Sequence, residues 1–150
     1  MKSIDLSTPS VRTILEDRKT QIRWVIKKDI SNKLDIDTDG NIRTYICRTI
    51  NGCYKNIVPY QIGDILWVRE AWTEVSVDGS YAPPCYQGTF YYYRADDSGI
   101  ETCGIFNGWH SPIHMPFEAA RILLLVKDIR MEQLQEITEL VVEFERIEKP

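Results

Sequence analysis

Arg12, Arg18, Lys19 and Arg23 gather four cations near the start of a chain of 150 residues. Such side chains hold anions, the arginines as planar forks and the lysine as a compact ammonium. They are expected to supply the anion side of a cleft. Further along, Arg69 and Glu70 sit side by side, and neighbours on one strand point to opposite faces. Arg69 either meets an anion in a cleft or pairs with an acid of the C-terminal strand. Glu70 is expected to anchor a loop by accepting backbone N–H groups. Trp72 and Trp109 lie nearer loops, where an indole face can stack on a base for about 1–3 kcal/mol. Packing is the alternative for both, and it is what Trp67 is expected to do. His110 and His114, with Cys103 before them, have a spacing that invites zinc. Pro112 between the histidines prevents the helix that would align them, and a further ligand would be needed. No metal or cofactor is expected, and His114 is read as orienting a loop or touching a base edge.

These residues need elements to position them. Thr8-Pro9-Ser10 reads as a helix start, Thr8 as N-cap and Pro9 in the first helical position, with a helix over Ser10–Asp17 that carries Val11, Ile14 and Leu15. From Thr20 the period becomes two, so that Thr20, Ile22, Trp24 and Ile26 share a face of a strand closed by Lys27-Lys28. Gly63-Asp64 supplies a bend into the strand Ile65–Arg69. Asp37 to Asn41 is a turn signal between Lys33–Ile36 and Ile42–Ile46, which suggests a hairpin. Asp35, Asp37 and Asp39 alternate as in a calcium loop, but Ile46 stands where that loop requires glutamate. Asn51-Gly52, Asp78-Gly79, Pro83-Pro84 and Asp96-Asp97-Ser98-Gly99 mark further turns. Thr89–Arg94 is an aromatic strand, Arg121–Met131 a long apolar one and Leu140–Ile147 the last. In the last, Leu140, Val142 and Phe144 should face one way and Val141 the other. The five strands are expected in one curved sheet or barrel.

Composition sets outer limits. A chain this long forms one domain, here 1–150, and buries roughly 70% of its unfolded surface. The net charge of −4 covers an asymmetry, because residues 1–50 hold 10 Lys+Arg against 7 Asp+Glu and residues 101–150 hold 5 against 9. A mildly basic start and an acidic tail do not suit a sequence-independent duplex coat, which needs many phosphate contacts. A small cationic cleft for one nucleotide is compatible. No apolar run approaches the ~18 residues of a membrane helix. Met1-Lys2-Ser3-Ile4-Asp5 has no apolar leader core, so a cytoplasmic protein is expected. Cys47, Cys53, Cys85 and Cys103 form no C-x-x-C pair and are expected to stay reduced.

Several stretches together resemble the ASCH domain, a family of the PUA-like superfamily, and especially its phage and prophage members. They are Arg18-Lys19-Thr20-Gln21-Ile22-Arg23, the run from Pro59 to Trp72, Ile113-His114-Met115-Pro116, Ala119-Ala120-Arg121-Ile122, Val126-Lys127-Asp128-Ile129-Arg130 and Leu134-Gln135-Glu136-Ile137. The resemblance implies an α+β fold that is mostly β, a PUA-like β-barrel with a short N-terminal helix and few peripheral helices. It implies a cleft at the barrel mouth for RNA, a nucleotide or a modified nucleobase. Relatives carry a helical insertion before the last strand; here Glu139 to Ile147 follows at once. In the family's N-terminal motif Lys19 matches the lysine, Asp17 stands at the glycine, Ile22 at an acidic or hydroxyl residue and Trp24 at an arginine. One branch hydrolyses N4-acetylcytidine with a lysine-assisted threonine and a glutamate, roles that Ile22 and the missing insertion leave unfilled. Binding is therefore the leading expectation, with Arg12, Arg18, Lys19, Arg23, Arg69, Glu70, Trp72, Trp109 and His114 as candidate contacts. An amidohydrolase acting on a modified pyrimidine nucleoside, with Lys19 catalytic, is the alternative. A third reading is a phage accessory protein that works through a protein partner.

Overall fold

The computed structural model describes residues 1–26, 33–36, 42–48, 54–56, 60–77, 88–134 and 137–149. The turns expected at Asp37–Asn41 and Asn51-Gly52, the strand end at Lys27-Lys28, the loop signals Asp78-Gly79 and Pro83-Pro84, and Cys53 and Cys85 lie outside them. The fold is α+β and mostly β, with a single α-helix among the described residues. The principal sheet has the strand order β1-β6-β9-β10-β2, formed by β1 (Lys2–Asp5), β2 (Gln21–Ile26), β6 (Ile65–Arg69), β9 (Leu123–Leu134) and β10 (Ile137–Ile147). A second sheet joins β3 (Lys33–Ile36), β4 (Ile42–Arg48) and β5 (Tyr54–Asn56), and a third joins β7 (Trp72–Val77) and β8 (Gly88–Tyr93). By internal packing the chain divides into two compact units, residues 1–2, 20–66 and 124–148 in one and residues 3–19, 67–123 and 149–150 in the other.

In the first unit, β2 and β10 run antiparallel with Ile22 opposite Val142 and Leu140 opposite Trp24. Leu140, Val142 and Phe144, alternating along β10, are buried, and so is Val141 on the opposite face. Leu124 and Val126 bury beside them, and a strand buried this way reads as a continuous apolar run. The bend before β6 forms as expected: Gly63 has φ of 88°, Asp64 N–H donates to the Gln61 carbonyl at 3.0 Å, and Asp64 Oδ2 accepts from Lys2 Nζ at 2.6 Å. The hairpin of Lys33–Ile36 with the following strand is present, and β5 extends it.

In the second unit, α1 (Thr8–Leu15) buries Val11 and Ile14. Its N-cap is Ser7, one residue ahead of the expected Thr8, which puts Pro9 in the second helical position. After the helix Asp17 turns with φ of 53°, the left-handed conformation usual for glycine at a helix end. Thr89–Arg94 was expected in the main sheet; instead β8 pairs residue for residue with β7, Trp72 opposite Tyr93 and Val77 opposite Gly88. A partner strand beginning at Trp72 explains this, since β8 takes its hydrogen bonds there. Trp72 is accordingly buried, packed with Met115, Ala119, Tyr91 and Tyr93. Trp67, expected in the core, is only half-buried, because the buried face of β6 is that of Leu66 and Val68. Its ring meets Phe117 edge-on at 5.6 Å.

Candidate functional site

A cleft of about 720 Å³ opens in the second unit. Its lining comes from the first turn of α1 with Arg12, from Arg94, from the turn at Asp97 and Gly99, and from Glu101 and Trp109. Each part has a local cause. Pro9 fixes the first helical turn. Arg12 faces the chain that follows β8, where its Nε donates to the Ala95 carbonyl at 3.0 Å and its Nη2 to Asp97 Oδ1 at 2.7 Å. The Arg12 guanidinium thus serves as a strut that sets the turn against the helix. That turn is sharp: Asp97 has φ of 49° and Gly99 of 71°, both left-handed.

Arg94 is exposed, and among the described residues no acidic side chain pairs with it. Asp97 is engaged by Arg12, and Glu101 Oε1 accepts the Trp109 Nε1–H at 2.5 Å. The half-buried Trp109 ring also leans on Phe106, 5.3 Å away at 64°. The indole is therefore fixed in orientation before any ligand arrives. No side chain caps the first turn of α1, and Ser7, Thr8 and Pro9 at its start line the same space. An anion near Arg94 together with a planar ring beside Trp109 suits this arrangement.

Only Arg12 and Trp109 of the candidate residues come together here. Arg18 pairs with Glu16. Lys19 Nζ donates to Ser10 Oγ at 2.9 Å and does not line the cleft. Arg23 lies in the other unit, where its Nη1 donates to Glu132 Oε2 at 2.7 Å and Glu139 Oε2 at 3.1 Å. Arg69 is paired, but with Asp5 on β1 rather than with an acid of the last strand; Nε meets Oδ1 at 2.5 Å and Nη2 meets Oδ2 at 3.0 Å. His114 is exposed at the end of the 3-10 turn Pro112–His114, and Trp72 is in the core.

Glu70 departs from expectation in its partner. It anchors not through backbone N–H groups but through Arg121, whose Nε and Nη2 donate to its two oxygens at 2.9 and 3.0 Å. Arg121 also donates from Nη1 to Asp96 at 2.8 Å and stacks 4.0 Å from the centre of the Tyr93 ring. Burial pushes the Glu70 carboxyl above its ordinary range, and the hydrogen bonds from Arg121 pull against that. This triad holds β8 and the residues after it in place, and so supports Arg94 from behind.

The residues that sequence reasoning passed over are Arg94, Glu101 and the serines of the helix start. Arg94 was legible only as the end of an aromatic strand; the turn signal directly after it was the available hint. Among the described residues no group of side chains could hold a metal ion, and no helix is long and apolar enough to cross a membrane. The side chain of Cys103 is a free, exposed thiol. No protein-family model, curated protein or solved structure matches this chain.

Proposed function

We propose that the cleft beside Arg94 and Trp109 binds a nucleotide, either free or as a unit of single-stranded RNA. The base lies on the Trp109 ring and the phosphate meets the Arg94 guanidinium near the first turn of α1. The observation that carries this reading is the pairing, in one space of about 720 Å³, of a cation without an acidic partner among the described residues and a pre-oriented indole. Guanidinium forks suit phosphate, and base stacking is tolerant of sequence. The likeness of the chain to nucleobase-associated ASCH proteins points the same way.

The test is titration of the protein with nucleoside monophosphates and a short RNA oligomer, followed by calorimetry and by quenching of tryptophan fluorescence. Arg94→Ala should weaken binding by about 1.5–3 kcal/mol, the range for a hydrogen bond to a charged group. Trp109→Ala should cost about 1–3 kcal/mol and abolish the quench. No binding of any nucleotide, with both variants silent, would replace this reading with that of a protein acting through protein contact.

A further inference from the structure

Glu101 stands in the cleft with one oxygen committed and the other open. Its Oε1 accepts the Trp109 Nε1–H at 2.5 Å, and among the described residues nothing donates to Oε2. The N–H of an indole lies in the plane of the ring, so the carboxylate it holds stands at the rim of Trp109 rather than over its face. Phe106, 5.3 Å away, packs on the same ring. The carboxylate therefore has a set position relative to anything that stacks on the indole. An ionised carboxyl only accepts, through about four lone-pair sites, and Trp109 uses one of them. The other acid of the lining, Asp97, is offset by the Arg12 guanidinium at 2.7 Å. Glu101 forms no salt bridge with a described residue.

We propose that Glu101 makes the cleft selective for guanine, so that its ligand is a guanine nucleotide, free or within single-stranded RNA. The proposal rests on the nucleotide reading above and names the base. On its pairing edge guanine carries two adjacent donors, N1–H and N2–H, with no acceptor between them. Oε2 takes one, and the remaining lone pair of Oε1 takes the other. Adenine sets N6–H beside the N1 lone pair, and cytosine sets N4–H beside the N3 lone pair. In uracil N3–H lies between two carbonyl oxygens. Each of these edges turns a lone pair toward the carboxylate, so the wrong base is repelled as well as less well held. Arg94 and Glu101 then have separate tasks on one ligand, the cation at its phosphate and the carboxylate at its base edge.

The full chain is titrated by calorimetry with GMP, AMP, CMP, UMP and IMP. GMP should bind about 5- to 150-fold more tightly than AMP or UMP, the range for a two-bond base contact. IMP keeps N1–H but lacks the N2 amine, and should fall between GMP and UMP. In Glu101→Gln the amide oxygen still accepts from Trp109 while the amide N–H₂ faces the base. GMP affinity should drop by about the same factor as the wild-type preference, whereas UMP affinity should hold or rise. An equal loss for every nucleotide would show that Glu101 only orients Trp109, and would overturn the proposal. So would a Glu101→Gln protein with unchanged GMP affinity, or a wild-type protein that prefers another base. If Glu101→Gln does not fold, the wild-type ranking decides alone. Equal affinities that still depend on Arg94 and Trp109 remove guanine selectivity and leave the nucleotide reading standing. Absence of binding by every nucleotide removes both.

Discussion

Single side chains in this protein divide by whether their charge is already engaged. Arg12, Arg23 and Arg69 are cations with acidic partners, whereas Arg94 has none among the described residues. Lys19 touches a hydroxyl away from the cleft lining, so Lys19→Ala should leave nucleotide affinity unchanged by calorimetry while Arg94→Ala lowers it. Glu70 makes the opposite point. Its side chain is 2% exposed and its guanidinium partner on Arg121 is 25% exposed. Removing one member of such a pair strands the other, at about 3–5 kcal/mol for a fully buried case. Partial exposure of Arg121 puts Glu70→Ala near the lower end, about 3 kcal/mol, measurable by urea denaturation. Replacing Glu70 with Gln should be milder, since an amide still accepts from Arg121.

Elements are fixed by burial and by a few ties at their ends. Leu124 is fully buried on β9, so Leu124→Ala should cost about 2–5 kcal/mol in a denaturation experiment. β10 lies between β9 and β2 in the principal sheet, and deletion of Leu140–Pro150 should abolish the cooperative thermal transition. Lys149, just beyond β10, donates to the carbonyls of Ala120 at 2.8 Å, Glu118 at 3.1 Å and Phe117 at 3.3 Å. These carbonyls close the 3-10 turn Phe117–Ala119, where a cation is favoured. Because Lys149 is exposed, Lys149→Ala should lower stability by only about 1 kcal/mol.

Across the molecule, the exposed faces of β2, β9 and β10 carry a charge lattice. Arg130 donates to Asp128, Glu132 and Glu143 on its own strand and the next, and Arg23 reaches Glu132 from β2. Hydrogen bonds from Arg130 first, and from Arg23, hold the Glu132 carboxyl below its ordinary value. A carboxyl lowered on folding binds fewer protons folded than unfolded, so its contribution is present above the unfolded value and lost as pH falls through the folded one. Asp64 is lowered as well: burial raises it, but the Lys2 ammonium and the Gln61 N–H outweigh that. Stability should therefore fall on acidification below the ordinary carboxylate range, and Glu132→Gln should show a shallower fall in denaturation at pH 7 and pH 3. Because the lattice is exposed, high salt should narrow the difference between the two proteins.

The sequence by itself determined the periods, and with them most of the strands and the helix. Thr20 to Ile26, Ile65 to Arg69 and the apolar run from Leu123 are legible because side chains alternate, or are uniformly apolar, over a length that admits one conformation. Gly63-Asp64 and Asp96 to Gly99 were legible because turns demand particular residue types. What alternation cannot state is the partner. Nothing in Thr89 to Tyr93 distinguishes a place in the main sheet from a hairpin with Trp72–Val77, and that choice moved Trp72 from a loop into the core. Charge partners were equally hidden. Arg69 finds Asp5 sixty-four residues away and Glu70 finds Arg121 fifty-one away, and no local pattern encodes such distances. The cleft depended most on tertiary structure, because its lining joins the start of α1 to residues from Arg94 to Trp109. Arg94 became the candidate anion contact only once folding had placed an acid against Arg12, Arg23 and Arg69.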